Sequence, residues 1–179
     1  MITVSDIRTA APKEYKNELQ KRVYETLAAL EIPFERVDTD EVITMEDCLA
    51  VNEKLNMKMV KTLFLCNRRQ TEFYLFITVG DKPFKSKDFS AALDVARVSF
   101  APSELMESML GTKIGAATVF SALLDTARDV SFVFDKDIFS ETYYGCSDGT
   151  TTGYMKIKMS DITDKFVPFC RRDFQTVEV

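Results

Sequence analysis

The sequence of 179 residues contains no histidine. Without an imidazole the protein cannot carry a Ser-His-Asp triad, a Cys-His pair or an H-E-x-x-H zinc site. Any catalysis must therefore use carboxylates, lysine, hydroxyl groups, backbone amides or groups that belong to the substrate itself.

Cysteine is scarce and dispersed, since Cys48, Cys66, Cys146 and Cys170 include no C-x-x-C pair. This spacing indicates neither a zinc site nor a thioredoxin motif, so we expect no metal and no other cofactor. Scattered cysteines within apolar segments are typical of reduced core residues, which favours a cytoplasmic protein.

Long apolar runs are also missing. No segment approaches the roughly 20 apolar residues that a membrane-spanning helix needs, so we expect no membrane partner. The first six residues, MITVSD, lack the basic and apolar regions of a secretion signal. The length falls within the usual range of about 100–200 residues for one domain, so residues 1–179 are predicted to form a single domain.

Positive charge is concentrated in the middle of an acidic chain. Residues 54–97 hold nine basic and four acidic side chains, a net charge of +5, whereas the whole protein has a net charge of −5. Such a segment is either a docking face for phosphates or the solvated side of a sheet and its loops, and charge alone leaves both open.

Lys61 stands at the head of the apolar run 62–66, and a second apolar run follows at 73–79. The pattern predicts a β-hairpin with strands at 60–67 and 73–79. A lysine at the end of a core strand is costly to bury without a partner. Lys61 therefore either extends its ammonium to water or holds an anion.

The spacing of apolar residues, together with proline and glycine at the ends of segments, predicts the remaining elements. Helices are predicted at 12–31, from a capping-box-like start at 44, and at 86–93, 102–110 and 161–169, with a short helical segment at 120–124. Strands are predicted at 34–37, 98–100, 130–134 and 155–159, and residues 143–153 as a Gly- and Thr-rich loop bordered by strand. This irregular interleaving favours an α+β domain around a mixed sheet.

Two loops carry groups suited to binding an oxyanion or a nucleotide. The loop 111–118, with Gly111 and Gly115, can present backbone N–H groups to an anion. The hydroxyls of Thr150 and Thr151 can bond ribose or phosphate oxygens. Both loops also have a purely structural explanation. The glycines can end a helix and form a tight turn, and the threonines can reflect a preference for β structure.

Several motifs recur together in the order known from one family. They are residues 61–68, 73–75, 82–85, 97–100, Leu110-Gly111 and Gly115. Over about residues 12–170 the chain resembles the YbaK/ProX-like aminoacyl-tRNA deacylases. That family includes freestanding prolyl-tRNA editing proteins, to which the likeness is closest, and the editing insertion of bacterial prolyl-tRNA synthetases.

The resemblance implies a fold, an activity and a partner. The implied fold is α+β, with a mixed sheet forming a barrel-like core and flanking helices. The implied activity is that of an aminoacyl-tRNA deacylase, a trans-editing hydrolase that cleaves the ester of a mischarged tRNA, typically alanine on tRNA-Pro. The implied partner is the acceptor end of tRNA, and this chemistry needs no cofactor because the ester is already activated.

The resemblance also implies roles for particular residues. Lys61 is expected near the phosphate or ribose of the terminal nucleotide, and the backbone of the loop between Gly111 and Gly115 is expected to hold the substrate carbonyl. The implied substrate-binding residues are Ile114, Ala116, Thr118, Phe120, Ser147, Thr150 and Thr151.

Four positions depart from the family pattern. Ile114 stands where the family has proline, and Thr150 where it has asparagine. Ser147, followed by Asp148, and Thr39 stand at or near the positions of two family histidines. The alternative function is therefore a diverged homologue that binds a tRNA acceptor end or another nucleotide without hydrolysis, and a structural or regulatory domain is a third possibility.

Overall fold

The computed structural model describes residues 2–42 and 44–179. Its strands form two sheets, one of five strands in the order β4-β2-β3-β5-β8 and one of three strands in the order β1-β7-β6. The strands are β1 (Glu35–Asp38), β2 (Lys61–Asn67), β3 (Phe73–Thr78), β4 (Val98–Phe100), β5 (Val130–Asp135), β6 (Tyr143–Ser147), β7 (Gly153–Lys158) and β8 (Phe174–Val177).

The helices lie between these strands. They are α1 (Glu18–Ala29), α2 (Cys48–Leu55), α3 (Ser86–Leu93), α4 (Ser103–Leu105, continued by a π-helical turn Met106–Leu110), α5 (Met159–Asp161, continued by a π-helical turn Ile162–Phe166) and α6 (Val167–Cys170). Short 3-10 helices occupy Val119–Leu123, Asp125–Ala127 and Lys136–Ser140. The predicted α+β class is confirmed.

The predicted central hairpin is confirmed to within one residue at each strand. Lys61 pairs with Thr78 and Cys66 pairs with Phe73 in an antiparallel ladder. Beyond the hairpin, β5 and β8 join the same sheet in parallel, so the sheet is mixed, as predicted.

The predicted barrel-like core is not confirmed, because the two sheets do not close on each other. Within the described ranges, one parallel bridge links the two sheets. It joins Met59, which lies two residues before β2, to Gly145 of β6. The approach is close, since a Cβ on Gly145 would lie only 3.1 Å from the carbonyl oxygen of Lys58. Beyond this bridge, the described residues form no strand pairing between the two sheets.

Apolar side chains cover both faces of the five-stranded sheet. On one face Leu75 and Phe132 pack with Leu27 of α1 and with the three-stranded sheet. On the other face Phe76 packs beneath Phe89 of α3. Burial on two faces explains why β3 and β5 read as nearly continuous apolar runs.

Helix α1 begins later than the predicted start at residue 12. The side chain of Asn17 accepts a hydrogen bond of 2.7 Å from the backbone N–H of Gln20, which satisfies one of the unpaired donors at the helix start. The helix therefore starts after the Asn17 cap, and not at Pro12. The apolar periodicity of the sequence predicted the helix correctly but not its cap.

Three further predictions are resolved by local geometry. Thr44 and Asp47 exchange reciprocal hydrogen bonds of 3.2 Å, as in the predicted capping box, just before α2. Gly111 ends the helical segment with φ of +69°, as predicted. The predicted loop at 143–153 is partly wrong, because Tyr143–Ser147 forms strand β6 against β7.

Candidate functional site

A cavity of about 370 Å³ lies between strands of the two sheets. This volume falls within the roughly 300–1,000 Å³ typical of small-ligand sites. Its lining comes from β2, the start of α2, the α4 segment, the ends of β4, β6 and β7, and the loops that connect them. The lining residues are Val42, Thr44, Met45, Cys48, Met59, Val60, Lys61, Thr62, Leu63, Phe64, Phe100, Ala101, Ser103, Met106, Ile114, Gly115, Ala117, Cys146, Ser147 and Tyr154.

An unpaired stretch of the β2 edge forms one wall of this cavity. On one side of the stretch the N–H of Val60 donates to the Gly145 carbonyl, and on the other the N–H of Ala101 donates to the Phe64 carbonyl, each at 2.9 Å. Backbone groups on a strand alternate in direction, so the N–H and C=O of Thr62 point to this same side. Strand β4 pairs with residues 65–67, so among residues 2–42 and 44–179 the Thr62 peptide groups have no backbone partner on the side that faces the cavity.

Lys61 brings a positive charge to the cavity wall. Its side chain is half-buried, and its ammonium donates a hydrogen bond to the main-chain carbonyl of Lys82. Among residues 2–42 and 44–179, no carboxylate forms an ion pair with Lys61. An ammonium has three N–H donors, so two remain for a ligand, and no carboxylate of the described residues neutralises the charge.

The residue that holds Lys61 is itself held by two carboxylates. The Lys82 ammonium lies 2.8 Å from a carboxylate oxygen of Asp135 and 2.8 Å from one of Asp137. Asp135 is fully buried and also accepts a hydrogen bond of 2.6 Å from the hydroxyl of Thr78. Burial alone would raise the pKa of Asp135, but the hydrogen bonds from Lys82 and Thr78 outweigh it and lower that pKa below its ordinary value.

We expect Asp135→Asn to lower the free energy of unfolding at pH 7 by about 2–4 kcal/mol, because Lys82 loses a buried partner. The folded-state pKa of Asp135 is lowered, so the stability it contributes is present above its ordinary pKa and is lost as pH falls through the folded value. Urea unfolding of both proteins between pH 7 and 2.5 should show the difference shrinking below about pH 4. A difference that is constant across this range would contradict the assignment.

Gly115 contributes backbone groups at the mouth of the cavity. Its φ of +90° is a conformation that favours glycine. The Gly115 carbonyl lies 3.2 Å from the hydroxyl of Tyr154, which also lies 3.3 Å from the carbonyl of Val42. The Gly115 N–H has no acceptor in the part of the chain that the structure describes, and the neighbouring Ile114 is 57% exposed at the rim.

Ser147 lines the cavity, but its hydroxyl is engaged in the turn between β6 and β7. The hydroxyl donates to the carbonyl of Thr150 and accepts from the N–H of Gly149, both at 2.9 Å. Only one lone pair of this oxygen remains for a ligand.

Beneath the same turn lies a buried carboxylate whose role the sequence reasoning missed. Asp148 is 1% exposed and accepts hydrogen bonds from the side chains of Gln20, Tyr24 and Thr150 and from the backbone N–H of Thr150, at 2.7–3.2 Å. Burial, and next the Asp148 charge, raise the pKa of Tyr24, so its hydroxyl stays protonated as the donor. The signal was available, because an Asp-Gly pair followed by threonine is typical of a side-chain-stabilised turn.

The structure brings only some of the predicted residues to this cavity. Lys61, Ile114, Gly115 and Ser147 line it together. Gly111, Ala116, Thr150 and Thr151 line a second cavity of about 360 Å³, beside Lys16 and Asn17 at the start of α1. The Gly111 N–H is already bonded to the carbonyl of Glu107.

Two other predicted residues lie in the core. Thr118 and Phe120 are both fully buried, and the Phe120 ring packs edge-on against Phe166 with centroids 5.1 Å apart. Neither residue lines the first cavity. Thr39, near the position of a family histidine, bonds through its N–H to the carbonyl of Thr152.

Two cysteines that the sequence reasoning placed in the core also line the cavity. Burial raises the pKa of the Cys48 thiol to about 11 and raises the pKa of the Cys146 thiol as well. Both thiols are therefore protonated near neutral pH and are poor nucleophiles. Neither cysteine is therefore suited to act as a nucleophile at this cavity.

Across residues 2–42 and 44–179, no three Cys, Asp or Glu side chains are arranged to hold a metal ion. None of the helices in these ranges has the length and apolar character to cross a membrane.

Comparison with protein families gives one match over most of the chain. A family model described as an aminoacyl-tRNA editing domain matches residues 39–165. This range contains the whole lining of the first cavity.

Individual relatives agree with the family match. A Danio rerio protein, prolyl-tRNA synthetase associated domain-containing protein 1, is 26% identical over 81% of this chain and 79% of its own. The prolyl-tRNA editing protein ProX of Acetoanaerobium sticklandii is 22% identical over 90% of this chain and 98% of its own. A crystal structure of a proposed trans-editing enzyme for prolyl-tRNA synthetase superposes with a TM-score of 0.63 at 12% identity, over 92% of this chain and 99% of the other.

Proposed function

The chain belongs to the aminoacyl-tRNA editing domain family, and on that premise we propose that it is a trans-editing hydrolase of mischarged tRNA. It would cleave the ester between a wrongly attached small amino acid, such as alanine, and the terminal adenosine of tRNA-Pro. The names of the relatives support the prolyl assignment. In this proposal residues 1–179 act as one editing domain in the cytoplasm.

The observation that carries the proposal is the unneutralised charge of Lys61 beside exposed peptide groups. The ammonium binds the phosphate or ribose of the terminal nucleotide as a point charge. The Gly115 N–H, which has no acceptor among the described residues, donates to the ester carbonyl oxygen. Such a donor stabilises the negative charge that develops on that oxygen in the transition state.

The protein itself supplies no nucleophile in this mechanism. A water molecule attacks the ester carbonyl carbon, and the bond from that carbon to the ribose oxygen then breaks. The ribose oxygen takes a proton that originates from the water, and the products are the free amino acid and the uncharged tRNA. The vicinal 2′-hydroxyl of the substrate helps to position the water, so that orientation replaces an acid–base side chain.

Selectivity for the amino acid follows from the size of the apolar part of the cavity. Leu63, Met106 and Ile114 line it beside the polar groups. One methylene group changes binding by only about 1–3 kcal/mol, so rejection of larger amino acids must come from steric exclusion. Ile114, in the position of a family proline, would set the shape of this filter.

A second candidate function is binding of the acceptor end without hydrolysis. The engaged hydroxyl of Ser147, at the position of a family histidine, favours it. Both functions use the same Lys61 contact, and they differ only in turnover.

The deciding experiment is a deacylation panel across mischarged tRNAs with the purified protein. We expect release of alanine from Ala-tRNA-Pro well above the spontaneous rate, while Pro-tRNA-Pro remains charged. Tight, salt-sensitive tRNA binding without turnover would favour the second function. Absence of both turnover and low-salt binding would overturn both proposals.

A further inference from the structure

Two of the sequence motifs bring aromatic rings together near the mouth of the cavity. Phe84, from the motif at 82–85, and Phe100, from the motif at 97–100, have ring centroids 5.8 Å apart. Phe100 also lines the cavity and is 63% exposed. The rings therefore connect the cavity mouth to the surface of the basic segment.

The Phe100 ring is supported from within and open to solvent. Phe84 contacts Phe100 on one side and packs against Phe76 and Phe89 on the other, with centroids 6.1 and 6.3 Å apart. Phe89 is fully buried, so this row of rings is anchored in the core. An exposed aromatic ring held in one place can stack on a nucleobase.

Strand β4 leads from this ring to a cluster of arginines. Val98 at its start pairs with Asn67, so Arg97 lies beside the turn that contains Arg68 and Arg69. In the described ranges, none of these three exposed arginines forms an ion pair or a side-chain hydrogen bond. By contrast, Lys54, Lys58 and Lys82 of the same basic segment all pair with carboxylates.

The spacing along β4 suits a short single strand of nucleic acid. Arg97 immediately precedes β4 and lies three positions before Phe100, a distance of about 10 Å along the strand direction. Stacked nucleotides rise about 3.4 Å each, so the arginines lie about three nucleotides from the ring. Guanidinium groups bind phosphates bidentately, and in the part of the chain that the structure describes these three are not paired with a carboxylate.

We propose that this surface, the acceptor track (Phe84, Arg97, Phe100, Arg68 and Arg69), guides the unpaired 3′ end of tRNA into the cavity. The inference rests on the proposed function and adds the route by which the tRNA 3′ end reaches the cavity. Phe100 stacks on the base of the nucleotide that precedes the terminal adenosine. The arginines bind the phosphates further back along the strand.

The phosphate part of the track is tested by a triple substitution, Arg68→Gln with Arg69→Gln and Arg97→Gln. We expect it to weaken binding of uncharged tRNA at least tenfold and to reduce the salt slope of log Kd by about 2, at about 0.7 for each lost phosphate contact. Hydrolysis of a 3′-aminoacyl-adenosine should be unchanged, because that substrate has no preceding phosphate. Lys21→Gln with Arg128→Gln and Lys158→Gln removes the same charge from exposed positions on other elements and should leave the slope intact.

The stacking part is tested with Phe100→Ala. We expect kcat/KM for an aminoacylated CCA trinucleotide and for the full tRNA to fall about tenfold or more, with a clearly smaller loss for the aminoacyl-adenosine. Phe169→Ala, at another exposed ring, is the matched control. Equal losses on all three substrates would place the ring against the terminal adenosine and overturn the proposed path.

The outcomes separate this inference from the proposed function. Wild-type protein that hydrolyses no substrate contradicts the function, while its tRNA affinity and salt slope still test the track. Wild-type turnover with an unchanged affinity and slope in the triple variant contradicts the track and leaves the function standing.

Discussion

Replacing Lys61 with alanine is expected to lower kcat/KM for deacylation of mischarged tRNA at least 100-fold. A charge-assisted hydrogen bond to the terminal nucleotide is worth about 1.5–3 kcal/mol, and displacement of the ester from the Gly115 N–H adds to that loss. A 100-fold effect corresponds to about 2.7 kcal/mol of transition-state stabilisation. The measurement is single-turnover release of labelled alanine from Ala-tRNA-Pro, with substrate concentrations on both sides of KM.

Two comparisons make the Lys61 result specific. Lys61→Arg keeps the charge but changes its shape and reach, so we expect partial activity. Lys58→Ala removes an exposed lysine of the same segment, whose ammonium lies 3.9 Å from Glu141, and should have little effect. Full activity of the alanine variant would eliminate Lys61 as the anchor.

Replacing Asp148 with asparagine is expected to lower the free energy of unfolding by about 2–4 kcal/mol. One carboxylate oxygen of Asp148 accepts hydrogen bonds from both Gln20 and Tyr24. In one orientation of the asparagine amide, its NH₂ group replaces this oxygen and faces the N–H donor of Gln20. In the flipped orientation, the NH₂ group replaces the other oxygen and faces the two donors of Thr150. In either orientation a buried donor is left without an acceptor.

The Asp148 variant should also lose deacylation, because the same turn holds Ser147 in the cavity wall. Urea unfolding gives the free energy, and activity at a temperature where the variant remains folded separates the two effects. Asp81→Asn, at an exposed turn position, is the control and should stay within about 0.5 kcal/mol of the wild type. A stable Asp148 variant would mean that the turn does not depend on this carboxylate.

The sequence predicted the strands of the hairpin well because their signal is local. An apolar run bounded by polar residues marks a buried strand wherever it lies in the fold, and β2 and β3 are such runs. Strand β8 was not predicted, since its residues alternate weakly and it is ordered by parallel pairing with β5. Strand β6 was read as loop because its glycine and serine gave no β signal, although β7 pairs with it along five residues.

The candidate site was predictable only in part. The resemblance pointed to Lys61, Ile114, Gly115 and Ser147, and these four residues do line one cavity. It could not reveal that Phe120 faces the core. Nor could it reveal that Cys48, Tyr154 and the Thr62 backbone belong to the wall, because those positions depend on contacts between distant segments.

The sequence by itself determined the α+β class, the mixed sheet around Lys61, the absence of histidine chemistry and the editing-domain family. These follow from residue type, periodicity and ordered motifs, which are properties of the chain before it folds. Only the tertiary structure decided that the sheets stay separate, that the cavity opens beside the unpaired edge of β2, and that Lys61 is held by Lys82 rather than by a carboxylate. Long-range packing decides these features, since a cavity consists of what neighbouring elements fail to fill.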